Sequence, residues 1–266
     1  TYDNGDFGFN SIYSYHGSFP IMGWDGNGFA QNYGGGINFN YDDGKTIFYT
    51  NYTYSQLKSQ SDIFSNTKTM LTDTSYMQVD TSNNKNNNFS HSFSARLEEK
   101  IDSLNYIIGR INANFVGNRE NDISSTLYST PLFDAINEYS TGYQYKLNQI
   151  STDALVIYNH KFMKPRRSLS IRAENINKLS YKKENEDNIN EFFNATSEDE
   201  RTKVATSQNT NENILKSSIM YVEPFGKRLS LSTFYNFSMN TERLTNDALD
   251  EIKNNSSIDS LNLVSK

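Results

Sequence analysis

The 266-residue chain has no cysteine. That excludes disulfides, a thiol nucleophile and thiolate-held metal sites. No stretch approaches the roughly 20 apolar residues of a membrane-spanning helix. The opening TYDNGDFGFN has neither the basic nor the apolar region of a secretory signal. The strands of a membrane barrel produce no long apolar run, so a membrane stays open. Basic excess is also missing: the formal net charge is −6, which leaves no electrostatic footprint for nucleic acid.

Catalytic constellations are lacking as well. No serine sits in a G-x-S-x-G elbow. Glu98 and Glu99 are adjacent and point to opposite faces of a strand, so they form no paired-carboxylate site. His16, His91 and His160 fall on three separate predicted strands with no second ligand at metal spacing, and read as strand-face or interfacial residues. Asp25-Gly26-Asn27-Gly28 lacks the remaining acidic positions of a calcium loop and reads as a Gly turn. Gly34-Gly35-Gly36 precedes no helix, so it offers no phosphate cradle. The chain reads as a protein that is not an enzyme and holds no cofactor or metal.

What is present is aromatic and alternating. Only 35% of residues are hydrophobic, yet 14% are aromatic, with 18 Tyr and 17 Phe. Disordered chains are poor in aromatics, so disorder is excluded as the overall reading. From Leu215 to Met239 two alternating runs flank Pro224, Phe225 and Gly226, with Leu229, Leu231, Thr233, Tyr235, Phe237 and Met239 two apart. That is a hairpin with one apolar and one polar face. The apolar face meets either a second sheet in a soluble sandwich or lipid in an outer-membrane barrel.

Spacing decides between them. Further strand pairs are predicted at about 7–58, 89–117 and 149–180, alongside 213–243. They turn tightly near Gly44, Ser103, Pro165 and Phe225, which lie 59, 62 and 60 residues apart. Polar stretches at about 59–88, 118–148, 181–211 and 244–266 read as long loops, with one short helix over LFDAINEY capped by Thr130 before Pro131. Short and long connections thus alternate. Strands of about 13 residues, tilted by about 45°, rise roughly 30 Å and cover the apolar band of an outer-membrane barrel. The predicted fold is an all-β, antiparallel up-and-down transmembrane barrel segment of about nine long strands, with short periplasmic turns and long extracellular loops.

Several segments in order carry a family likeness. These are Tyr221-Val222-Glu223-Pro224-Phe225-Gly226-Lys227, Gly34 to Asp43, Asp73-Thr74-Ser75-Tyr76, Phe89-Ser90-His91 to Leu97, Ile101-Asp102-Ser103-Leu104, and His160-Lys161-Phe162 to Leu169. From about Phe7 to Asn240 the chain resembles the outer-membrane β-barrel family related to TonB-dependent transporters. The resemblance implies a barrel of about 22 strands in the classical members, an N-terminal plug and energy coupling through the TonB complex. Plug, TonB box and terminal closing strand are not recognised here, so the chain is expected to be the middle of such a barrel.

The expected location is the outer membrane of a Gram-negative bacterium. Expected partners are outer-membrane lipid, the TonB complex through a plug, and a surface lipoprotein or other envelope protein. The expected function is uptake of a large nutrient: a glycan, a peptide or a metal complex. Alternatives are a docking or structural barrel subunit of an envelope assembly and a secreted β-rich adhesin. Trp24, Tyr76, Phe192 and Phe193 are candidate ligand contacts, because loop aromatics stack on sugars or anchor partners. Arg110, Asn112 and Asn114 are expected to face the lumen. Glu184, Glu186, Asp187, Glu198, Asp199 and Glu200 read as a solvated acidic loop, with surface calcium as the alternative.

Overall fold

A computed structural model describes residues 28–70, 75–132, 134–193, 197–226, 228–254 and 257–265. They form one antiparallel sheet in which each strand pairs with the next in sequence. The strands are β1 (Phe29–Asp42), β2 (Thr46–Met70), β3 (Ser75–Lys100), β4 (Asn105–Ser129), β5 (Ala135–Lys161), β6 (Ser168–Phe192), β7 (Glu200–Phe225), β8 (Leu229–Asn254) and β9 (Ser257–Ser265). Among the described residues there is no helix, and β1 and β9 do not pair, so the sheet is open. The predicted strand pair at 7–58 opens with a strand at 7–19, which holds His16, and a loop at 20–33, which holds Trp24; positions up to 27 lie outside the described residues. Positions 29–33 of that loop belong to β1.

The four tight turns fall where the sequence puts them, and local chemistry explains each. Asp43 Oδ1 accepts hydrogen bonds from the Lys45 and Thr46 amides at 3.0 and 2.6 Å, while Gly44 takes φ +82°, which glycine adopts without strain. Asp102 Oδ1 accepts from the Leu104 and Asn105 amides at 2.7 and 2.8 Å. The turn after Pro165 places Arg166 at φ +69°, and Gly226 takes +75°.

The long loops are a different matter. Positions 59–70 and 75–88 continue β2 and β3, and 118–129 and 135–148 continue β4 and β5. Likewise 181–192 and 200–211 continue β6 and β7, and 244–254 pairs with β7 and then with β9. Strands are therefore 25 to 27 residues from β2 to β8, not about a dozen, and the long loops shrink to upper turns. Both faces of these extensions are mostly polar, with apolar residues such as Ile63, Val79, Ile123 and Leu147 scattered on either side, so the apolar alternation that marks a strand is missing. The ladder is held by backbone pairing and by side-chain bonds across it. Examples are Ser82 Oγ to Asp122 Oδ1 at 3.2 Å and Thr141 Oγ1 to Asn188 Oδ1 at 2.9 Å.

The expected helix over LFDAINEY is likewise replaced. Thr130 and Asp134 close a turn, the Thr130 amide donating to the Asp134 carbonyl at 2.9 Å and the Asp134 amide donating to Thr130 Oγ1 at 3.1 Å; β5 then begins at Ala135. A helix of eight residues is marginal alone, whereas strand pairing on both sides of β5 holds this segment extended.

Residues opposed across antiparallel strands share a face, so the registers assign every side chain. One face carries Arg110, Asp153, Glu174 and Lys216; the other carries Phe39, Phe93, Ile111, Val156, Ile171, Ile219 and Phe237. Exposure follows this division in an unusual sense. The buried Ser55, Leu57, Ser90, Leu155 and Glu174 belong to the polar face, with Ser129 and Gly117 on the other face as exceptions, whereas Ile111 is 43% exposed and Ile219 46%. The polar face is thus the enclosed, concave side of a curved sheet, and the apolar face is the convex one.

On β2 to β8 the upper edge of this apolar band is Tyr54, Phe89, Phe115, Ile150, Leu179, Leu215 and Met239 in turn. The band crosses the strands obliquely. Phe89 stands in register with Gly117, Asn148, Tyr181, Asn209 and Thr245, yet the edge on β8 lies six residues lower, at Met239. Six residues descend about 20 Å over five interstrand steps of about 4.8 Å, which sets the strands about 40° from the band's normal. Asn175 and Asn177 interrupt the band on β6, and Asn175 Nδ2 donates to Asn213 Oδ1 at 3.4 Å.

Candidate functional site on the concave face

The polar face has a charged lower part and a tyrosine-rich upper part. Below, Arg110 Nη2 meets Asp153 Oδ2 at 2.9 Å and Glu174 Oε1 at 3.8 Å, and Arg172 reaches the other Glu174 oxygen at 3.2 Å. Asn112 Nδ2 donates to the same Asp153 oxygen at 3.3 Å. On β3, Arg96 pairs with Glu98 at 2.5 Å. Glu174 is 5% exposed, and a carboxylate so enclosed needs the two guanidinium groups beside it.

Among the described residues five buried polar atoms lack a protein partner: Asn86 Oδ1, Arg96 Nε, Arg110 Nε, Asn118 Oδ1 and Asp153 Oδ1. By register all five side chains are on the concave face. Buried groups left unpaired by protein are ordinarily satisfied by water, so this face has the chemistry of a hydrated wall.

The upper part combines acids, amides and tyrosines in regular rows. Tyr145 stands between Glu120 and Glu184, and one row higher Tyr143 stands between Asp122 and Glu186. Tyr143 Oη donates to Glu184 Oε1 at 3.2 Å. Burial, then the Glu184 carboxylate, pushes the Tyr143 hydroxyl up to about 12, so it stays a neutral donor. Asn84 Nδ2 donates to Glu120 at 3.0 Å, Asn188 Nδ2 to Glu186 at 2.8 Å, and Ser82 Oγ to Asp122 at 3.2 Å. Lys182 pairs with Glu184 at 3.0 Å and lies 5.8 Å from the Tyr145 ring centre.

Arg110, Asn112 and Asn114 all share the concave face, with the first two joined through Asp153. Tyr76 and Phe192 are not in loops: they end β3 and β6 on this same face, Tyr76 with its ring 6.0 Å from that of Tyr128, and Phe192 in the row of Tyr128. Phe193 is in the upper turn, 52% exposed, and is not brought against them. Of the acidic group, Glu184 and Glu186 point to the concave side. Asp187 points outward, where Arg201 holds its carboxyl below the usual range through two hydrogen bonds of 2.9 and 2.5 Å. No group of three or more metal-binding side chains occurs among the described residues. Sequence reading missed Glu120, Asp122, Tyr143 and Tyr145; their signal was a period of two inside a segment whose few apolar residues, such as Ile123, Leu127 and Leu147, do not alternate to frame it.

The convex face carries two aromatic clusters, one at each edge of the apolar band. At the upper edge His91 has Tyr54, Phe89 and Phe115 at ring distances of 4.9, 6.1 and 5.9 Å, and Tyr52 Oη is 2.7 Å from its Nδ1. At the lower edge His160 stacks edge-on with Phe162 at 4.4 Å, and Phe162 approaches Tyr221 at 6.1 Å. Both histidines are therefore strand-face residues packed against aromatic rings at the edges of the band. Compared with known proteins, the sequence matches no family model and no curated protein.

Proposed function

We propose that the chain is an arc of an outer-membrane β-barrel whose convex face meets lipid and whose concave face lines an aqueous lumen. The observation that carries this reading is the inversion of polarity: apolar side chains are exposed on the convex side while charged and amide groups are enclosed. Water makes an exposed apolar band of this extent costly, at about 25 cal/mol per Å², and lipid removes that cost. The band extends about 26 Å along β4, from Ile107 to Phe115, between aromatic girdles, and the strand tilt of about 40° is that of membrane barrels.

Within that barrel the proposed activity is uptake of a large nutrient by a TonB-dependent transporter-like protein, through a plug and the TonB complex. The upper concave wall favours a glycan over the peptide and metal-complex alternatives. Tyrosine faces flanked by carboxylates and amides match the apolar faces and hydroxyl edges of sugars. In cells, the uptake reading predicts accumulation of an oligosaccharide that stops when the inner-membrane proton gradient is collapsed. Accumulation that continues unchanged overturns energised transport.

A docking barrel of an envelope assembly is the second reading, and one observation favours it. The outward Asn175 and Asn177 make a polar gap in the band on β6, and Asn213 and Asn211 continue it just above the band's edge on β7, where a protein partner fits better than lipid. Cross-linking from these four positions separates the readings: a protein adduct supports docking, and lipid adducts alone refute it.

A further inference from the structure

The convex face has a regularity just above the apolar band. On β2, β3, β4, β5, β6 and β8 the outward residue four positions beyond the band's upper edge is Lys58, Lys85, Arg119, Lys146, Lys183 and Arg243; on β7 it is Asn211. These cations follow the oblique band and not a single register row, so they form a belt parallel to its edge. Arg119, Lys146 and Lys183 also oppose one another directly across β4, β5 and β6. Like charges so placed repel, and none of the six belongs to an ion pair among the described residues. All six are exposed.

Beneath part of this belt is a groove of about 360 Å³. Phe115, Ile150, Leu179 and Tyr181 give it an apolar floor, and Arg243 stands at its rim. Lys146 and Lys183 are each two residues above lining positions, on the same face. An apolar slot that opens into a cluster of unpaired cations fits a molecule with an acyl chain and a phosphate headgroup.

We infer that this belt and groove bind a phosphorylated glycolipid of the outer leaflet, with acyl chain in the groove and phosphates on Arg119, Lys146 and Lys183. The inference rests on the membrane-barrel reading. A phosphate monoester carries close to two negative charges and relieves the repulsion within the triplet, which no neutral headgroup does. Free phosphate lacks the acyl part and binds far more weakly.

The test uses the complete barrel that carries this arc, reconstituted in phosphatidylcholine vesicles, with diphosphoryl lipid A, its dephosphorylated form or inorganic phosphate as probe. Binding of diphosphoryl lipid A is expected to exceed that of the dephosphorylated lipid and of inorganic phosphate by about tenfold or more and to weaken as salt is raised. Replacing Arg119, Lys146 and Lys183 together by Gln should weaken it by about 30-fold, while R119K with K146R and K183R should retain it. Equal binding of the two lipids by the unaltered chain overturns the inference, and needs no variant to fold. A triple Gln variant that is folded and binds as tightly as the parent overturns it as well. Failure of the chain to enter vesicles at all would instead strike the barrel reading itself.

Discussion

At the residue scale, Gly117 and Asp102 report on different forces. Gly117 faces Phe89 directly, and a Cβ added there would stand 2.3 Å from the Phe89 ring. Gly117→Ala must displace that ring from its contacts with His91 and Phe115, so it should lower stability by about 1–3 kcal/mol in a detergent-folded unfolding series. Asp102 holds its turn through the Leu104 and Asn105 amides. The Asn105 side chain, then these amides, keep its carboxyl below the usual range. Its contribution is therefore present above about pH 4 and lost as pH falls through the depressed value. Asp102→Ala should lower the unfolding midpoint by more at pH 7 than at pH 2; an equal effect at both pH values would remove the carboxylate from the explanation. In the concave network, Arg110→Ala leaves Asp153 and the enclosed Glu174 short of a partner and should cost about 2 kcal/mol. Pairing it with Glu174→Gln should recover part of the loss in a double-mutant cycle.

At the scale of the element, the strands show how much a sequence discloses and where it goes silent. The lower half of each hairpin was legible because its two faces differ: Phe89, His91, Phe93, Ala95 and Leu97 alternate with Ser90, Ser92, Ser94 and Arg96, and this contrast is the strand signal. The turns were legible because Asp-Gly, Asp102-Ser103 and Pro-Phe-Gly have defined backbone preferences. The upper half was not legible. In the stretch from Ser82 to Asn88 (SNNKNNN), both faces are polar, so periodicity vanishes although the pairing of Asn83 to Asn88 with Asp62 to Leu57 continues in register. The same silence hid Glu120, Asp122, Tyr143 and Tyr145, whereas Arg110, Asn112 and Asn114 could be assigned to the polar face because apolar neighbours framed them. These extensions predict slow amide exchange from 118–129 and 135–148, as paired strands give. Exchange there as fast as in an open loop would contradict the hairpin extension.

At the scale of the whole molecule, the features converge on an inside-out sheet: exposed apolar band, enclosed charges, girdles at both edges, oblique strands and a cationic belt above. If the upper concave wall recognises a glycan, Tyr143→Phe should weaken oligosaccharide binding by about 3- to 10-fold by removing one polar partner, measured by titration of the folded protein. The central claim, lipid on one face and water on the other, is tested most directly by spin labels placed one at a time from Ile107 to Phe115 in the vesicle-reconstituted chain. Collision with oxygen, which concentrates in lipid, should peak at positions 107, 109, 111, 113 and 115. Collision with a water-soluble nickel chelate should peak at 108, 110, 112 and 114. Equal access of both reagents along the strand, or the opposite alternation, would contradict the account.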